Sequence, residues 1–195
     1  MPNPYPLLIR CLLALFLCVS LSSQSHALSV EDIVVSEAKL EANESGWHLR
    51  ARFNFDFPNT LEDAINKGIA LYFTTEFTLS RRRWYWFDER PVSLSRTTRI
   101  IYHPLLRKYA VSTGGLQLRF DTLAEALSMV KSIRSWHVAD RNQLKPEETY
   151  TAAVRLYLDV SQMPKPFQVH AVNAREWTFE SGWRYFPLFT PDSNK

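Results

Sequence analysis

Cysteine is almost missing from this chain of 195 residues: there are two, Cys11 and Cys18, both close to the N-terminus. Downstream of them no disulfide, thiol nucleophile or cysteine-ligated metal is possible. Glycine is scarce too, at five residues, and no phosphate-cradling loop or dinucleotide fingerprint occurs. The histidines beyond the N-terminal segment (His48, His103, His137 and His170) are far apart, and none stands in an HExxH pattern. Ser112-Thr113-Gly114-Gly115 is turn chemistry and not a nucleophile elbow. The pair Glu147-Glu148 comes after Pro146 in a loop and reads as solvated. There is no internal repeat, low-complexity tract or linker. These absences point away from an enzyme, and neither a cofactor nor a metal is expected. The one catalytic alternative is a hydrolase whose site is assembled only in three dimensions.

Long apolar runs are also lacking, with one exception. Cys11 to Leu21 is continuous enough to serve as the core of a secretory leader, with Arg10 before it and Ser25-His26-Ala27 as the cleavage region. At 11 residues the run is shorter than the roughly 20 needed to span a bilayer. Leu15-Phe16-Leu17 lacks the small residues that would make Cys18 a lipid-attachment site. The expectation is a signal peptide over 1–27, cleaved after Ala27, and a single domain over 28–195 in the periplasm or outside the cell. The alternative is an uncleaved N-terminal membrane anchor. A domain of roughly 168 residues without disulfides is long enough to hold itself by its core.

Alternation, by contrast, is present in quantity. Trp47, Leu49, Ala51, Phe53, Phe55 and Phe57 fall on one face of a strand that Pro58 ends, with His48, Arg50, Arg52, Asn54 and Asp56 on the other. Asn43-Glu44-Ser45-Gly46 before it is a turn. Further strands are predicted from Ser29 to Leu40, Val92 to Tyr102, Lys108 to Thr113, Leu116 to Phe120, Trp136 to Ala139, Tyr150 to Val160, Phe167 to Val172 and Glu176 to Phe179. Two short helices are predicted. One runs from a Thr60 N-cap to Lys67, and one from Thr122 to Arg134 behind a Thr122/Glu125 capping box. Met163-Pro164-Lys165-Pro166 reads as an extended connector. The fold class is mainly β, an antiparallel β-sandwich with two short helices; a partly open barrel is the alternative.

The densest stretch is Ile69 to Arg90. Ile69, Leu71, Phe73, Thr75, Phe77 and Leu79 form an apolar row, which Arg81-Arg82-Arg83 interrupts before Trp84-Tyr85-Trp86-Phe87. An unbroken strand would bury Arg81 and Arg83, so a bulge near Ser80 to Arg83 is expected. Between residues 80 and 110 eight basic side chains stand against Asp88 and Glu89, so charge is concentrated there. Arg81, Arg82, Arg83, Trp84, Trp86 and Arg90 are the candidate docking residues, because arginine and tryptophan dominate interface hot spots. A purely structural ladder is the competing reading, with the arginines paired to Asp88 and Glu89 and stacked on Trp84 or Tyr85.

Several segments together resemble the bacterial family called domain of unknown function 4390, some of whose members are labelled proline-rich signal peptide proteins. They are Tyr72-Phe73, Glu76-Phe77 with Arg81 to Asp88, Phe120-Asp121-Thr122-Leu123 with Glu125-Ala126-Leu127, and Arg155-Leu156-Tyr157-Leu158-Asp159. Met163 to Val169 and the Trp177…Ser181-Gly182-Trp183 tail continue the match. The resemblance implies an exported bacterial protein without assigned activity, from a genetic context that includes a membrane sensor kinase. It transfers no functional residues. The expected function is a non-catalytic binding module that docks a membrane-associated protein partner such as a sensor. The alternative is a binder of anionic lipid or cell-envelope glycan. Nucleic acid, which an exported protein rarely meets, is not expected as a partner.

Overall fold

The computed structural model describes residues 33–82, 88–173 and 177–191. The leader therefore lies outside the described residues, as does the start of the first predicted strand. Strand β1 (Val34–Asn43) turns at Ser45-Gly46 into β2 (Gly46–Asn54), and both pair in antiparallel register with Ala38 opposite Ala51. Gly46 has φ of 132°, and a Cβ there would come within 2.3 Å of the Ala139 carbonyl oxygen. Only glycine fits that approach. Trp47, Leu49, Ala51, Phe53 and Phe55 are buried, as the alternation predicts, but the strand ends at Asn54, short of Phe55 and Phe57, and Phe57 is only half-buried. The later strand β7 (Ser132–Ala139) pairs with β2 and completes a three-stranded sheet in the order β1-β2-β7.

The second sheet has six strands in the order β6-β5-β4-β3-β8-β9, all antiparallel. They are β3 (Leu71–Arg81), β4 (Glu89–His103), β5 (Lys108–Thr113), β6 (Leu116–Phe120), β8 (Thr149–Leu158) and β9 (Arg184–Phe189). Leu71, Phe73, Phe77 and Leu79 are all at most 1% exposed, which makes β3 the centre of the core. On the opposite face of β3 and β8, Glu76 accepts from Arg155 Nε at 2.8 Å and from the Tyr157 hydroxyl at 3.1 Å. Arg155 in turn lies 4.8 Å from the Trp183 ring centroid. Pro187, which has no N–H to give a ladder, sits in the edge strand β9. The two sheets are separate, so the fold is a mainly β, sandwich-like arrangement and not a closed barrel.

Three α-helices decorate the sheets, one more than the sequence suggests: α1 (Asn59–Asn66), α2 (Leu123–Lys131) and α3 (Lys165–Asn173). The N-cap of α1 is Pro58, so Thr60 lies inside the helix and caps nothing. In α2 the capping box forms as predicted, with Glu125 N donating to Thr122 Oγ1 at 3.2 Å. That helix stops at Lys131, however, and β7 begins at once, so Ile133 and Arg134 belong to a strand. The largest correction is α3, where the sequence predicts a strand over Phe167 to Val172. A proline in the first helical turn loses no hydrogen bond, because those N–H groups have no intrahelical partner. The Pro164 carbonyl accepts from Phe167 N at 2.9 Å and starts the turn. The described part of the last predicted strand, Trp177 to Phe179, is not a strand either.

Candidate functional site

The arginine run meets the sheet where β3 ends. In the pairing of β3 with β4, Leu79 faces Val92 but Arg81 faces Glu89, so β4 carries one extra residue opposite Ser80. A bulge does fall at this point, but on the partner strand at Arg90-Pro91 and not within Ser80 to Arg83, so the phase of β3 is not shifted. Proline suits the bulge, having no N–H to leave unpaired. Arg81 turns inward, with its side chain 11% exposed. It is tolerated because its two terminal nitrogens each meet a carboxylate at 2.6 Å, Glu89 on one side and Glu148 on the other. The hydrogen bond to Glu89 is the main reason its pKa rises above the ordinary arginine value. Glu148, expected to be solvated, is thus half of a clamp. Arg81 Nε is buried without a hydrogen-bond partner among the described residues.

Arg82 and Arg90 are exposed and form no ion pair among the described residues. Arg83, Trp84 and Trp86 lie outside the described residues. Of the six docking candidates, then, one is consumed by internal pairing and two remain on the surface.

A different arginine has no such clamp. The core-facing row of β4 runs Val92, Leu94, Arg96, Thr98, Ile100 and Tyr102, because Val92 and Ile100 are buried and the face alternates. Polar side chains therefore occupy the middle of an inward row, opposite Thr75 and Phe73 of β3. Here the narrow sheet leaves the wide sheet partly uncovered, and a groove of about 800 Å³ opens between them. Phe53, Leu118, Met129 and Ile133 supply its apolar wall, and Arg52, Arg96, Lys131 and Arg134 its basic groups. No Asp or Glu lines it among the described residues.

The basic groups are not equally available. Lys131 Nζ donates to the Phe55 carbonyl at 2.7 Å and lies 4.6 Å from the Phe55 ring centroid. Arg52 lies 3.8 Å from Glu37. Arg134 is exposed with no ion pair among the described residues. Arg96 is half-buried; its Nε donates to Thr113 Oγ1 at 3.1 Å, and its terminal nitrogens have no partner among the described residues. The Thr113 hydroxyl is itself fixed by donating to the Thr97 carbonyl at 3.3 Å. Burial pushes the Arg96 pKa below its ordinary value, with no carboxylate to offset it. The guanidinium stays charged at neutral pH nonetheless. A positive charge partly removed from water, oriented by a hydroxyl and left unpaired is a site that favours an anion.

The fold also brings together His48 and His137, with ring centroids 5.2 Å apart. Each His48 nitrogen lies 2.8 Å from a serine hydroxyl, Ser45 or Ser135, and His137 Nε2 lies 3.2 Å from Asp140. The pair lines neither groove, and no cluster of metal-ligating residues exists among the described residues. A second cavity of about 410 Å³ lies between the end of β8 and α3. Its Asp159 already accepts from Ser161 N, Ser161 Oγ and Gln162 Nε2.

A family model described as Domain of unknown function (DUF4390) matches residues 30–187. The chain belongs to that family. The DUF4390 match spans both sheets and the Arg96 groove, and it bears out the resemblance read from the sequence. No curated protein and no solved structure matches this DUF4390 chain.

Sequence reasoning missed Arg96 because it tracked density of charge. The usable signal was an interruption: within the apolar-alternate row of β4, Arg96 and Thr98 stand at core-facing positions. Such a break marks either a bulge or a cavity.

Proposed function

We propose that this DUF4390 chain is a non-catalytic, exported binding module that takes an anionic amphiphile into the groove between its sheets, the charged head on Arg96 and the chain along Phe53, Leu118, Met129 and Ile133. The carrying observation is the half-buried, unclamped Arg96 guanidinium in a groove that no carboxylate of the described residues lines. The volume of about 800 Å³ supports the reading, since it falls in the range of about 300–1,000 Å³ typical of small-molecule sites. Periplasmic residence, proposed from the leader, would place the module among envelope lipids. Titration calorimetry with monododecyl phosphate below its micellar concentration tests the reading. Binding of the phosphate, with dodecyltrimethylammonium and inorganic phosphate both at least tenfold weaker, is the expected result. Equal binding of the cationic analogue would overturn it.

A second reading keeps the β3–β4 end as the docking face for a membrane-associated protein. It is favoured by Arg82 and Arg90, which are exposed and unpaired among the described residues. Loss of partner capture on changing both to Gln would support it; undiminished capture would end it.

A further inference from the structure

The most exposed large apolar side chain among the described residues, Leu105, stands beside a second exposed leucine, Leu106, at one hairpin tip. Between β4 and β5 the chain runs His103-Pro104-Leu105-Leu106-Arg107-Lys108, with Leu105 fully exposed and Leu106 55% exposed. A loop tip ordinarily carries small or polar residues. Directly beneath it Tyr102 and Tyr109 face each other across the hairpin, their ring centroids 4.8 Å apart. The Tyr109 hydroxyl is tied to Asn66 of α1 at 2.7 Å. Lys108 pairs with Asp121, which leaves Arg107 and the exposed Lys67 as unpaired positive charges at this end among the described residues. Two leucines outermost, a tyrosine layer behind them and basic residues at the flanks is the depth order of a lipid interface: hydrocarbon, headgroup boundary, phosphate.

The described chain begins at this same end. Val34 pairs with Asn54, at the end of β2 that leads on into α1, and α1 meets the hairpin through Asn66 and Tyr109. Ile33 N donates to the Glu180 carbonyl, and Glu180 bridges Tyr157 beside the start of β3. Ile33 therefore lies at the end of the sandwich where the leucines emerge. A convex tip of two leucines is too small to supply the roughly 800 Å² per partner of a stable protein interface. A bilayer needs no complementary surface.

We propose that the β4–β5 hairpin tip seats in an anionic bilayer surface, with Leu105 and Leu106 entering the acyl boundary and Arg107 and Lys67 meeting lipid phosphates. This is independent of the Arg96 groove, which lies about seven residues, or roughly 23 Å, further back along β4. The test uses the full chain carrying Cys11→Ser and Cys18→Ser, with one new cysteine bearing the fluorophore NBD. Leu105→Cys reports the tip. Glu44→Cys is the control, since its turn is tied through Arg141 and Gln143 to Pro91 at the far end of the sandwich.

Vesicles of phosphatidylglycerol and phosphatidylcholine should raise the emission of the Leu105→Cys label several-fold and shift it to the blue. Brominated acyl chains should quench it, while the Glu44→Cys label should still report water. Pure phosphatidylcholine should give a response several-fold smaller. Because each label reports its own depth, an N-terminal segment that held the chain on the vesicle would not mimic the result. A Leu105→Cys label that still reports water on bound chain, or two labels that respond alike, would overturn the proposal. An equal response on phosphatidylcholine would overturn the role given to Arg107 and Lys67.

Discussion

Arg81 and Arg96 stand on neighbouring strands of one sheet, and both turn toward the interior. Arg81 meets two carboxylates at 2.6 Å, and its charge is stabilised by the fold. Among the described residues Arg96 meets only a threonine hydroxyl, and burial disfavours its charge. The first is a rivet closing the end of the sheet; the second is a charge for which the described residues supply no counterion. The contrast teaches that density of charge in a sequence and availability of charge on a fold are different quantities. The three consecutive arginines are the densest charge in the chain, yet the described member facing inward is spent on structure.

The comparison rests first on having the faces right. Phe55 stacks near Phe73 and meets Phe179 edge-on at 5.3 Å, so Phe55→Ala should cost about 3–5 kcal/mol in a denaturant melt. Arg52→Ala, at an exposed position of β2, should stay within about 0.5 kcal/mol. Similar losses for both would dissolve the inner row from which the exception at Arg96 is defined.

Next in size is the rivet itself. Arg81→Gln removes the charge that Glu148 and Glu89 both meet, and should cost about 1.5–3 kcal/mol, read as a lower melting temperature. An unchanged melting temperature would make Arg81 as free as Arg82 and erase the contrast from its side.

Alkaline pH should act more weakly and on neither arginine. Burial raises the pKa of Tyr109 and of Tyr157, the latter also through Glu76. Their neutral forms favour the fold, so this contribution is complete below the ordinary tyrosine value of 10.0 and is lost as pH rises through the folded values. Stability measured by denaturant should be level from pH 7 to 9 as far as these groups act, and fall above about 10. Smallest of all, Arg82→Gln with Arg90→Gln should change stability by less than about 0.5 kcal/mol, because solvated charges contribute little.

How much of the molecule is legible in advance depends on the quantity each signal measures. The period-two rows of β2, β3 and β8 record one wet and one dry face, so the antiparallel sandwich and its core are legible residue by residue. The capping box at Thr122 and the turn at Gly46 are legible because local chemistry dictates them. Helix α3 is not, because two prolines read equally as an extended connector or as a first helical turn, and the residues after Pro166 decide between them through tertiary packing. The clamp on Arg81 is half legible: Glu89 is eight residues away, whereas Glu148 arrives only when β8 pairs with β3. The groove is legible only as a break in the β4 row at Arg96 and Thr98, and that the break is a cavity follows from a narrow sheet failing to cover a wide one.

The most direct test compares the two arginines in one assay. Wild type, Arg96→Met and Arg81→Gln would each be titrated with monododecyl phosphate while the melting temperature is monitored. Methionine keeps the length and apolar character of the stem without the charge that burial disfavours. Ligand at 100 times its dissociation constant should stabilise wild type by about 2.7 kcal/mol. Arg81→Gln should start from a lower melting temperature and gain as much, whereas Arg96→Met should start at or above wild type and gain nothing. If Arg96→Met still gains the full shift, or itself melts well below wild type, Arg96 is not an unclamped binding charge and the account fails at its centre.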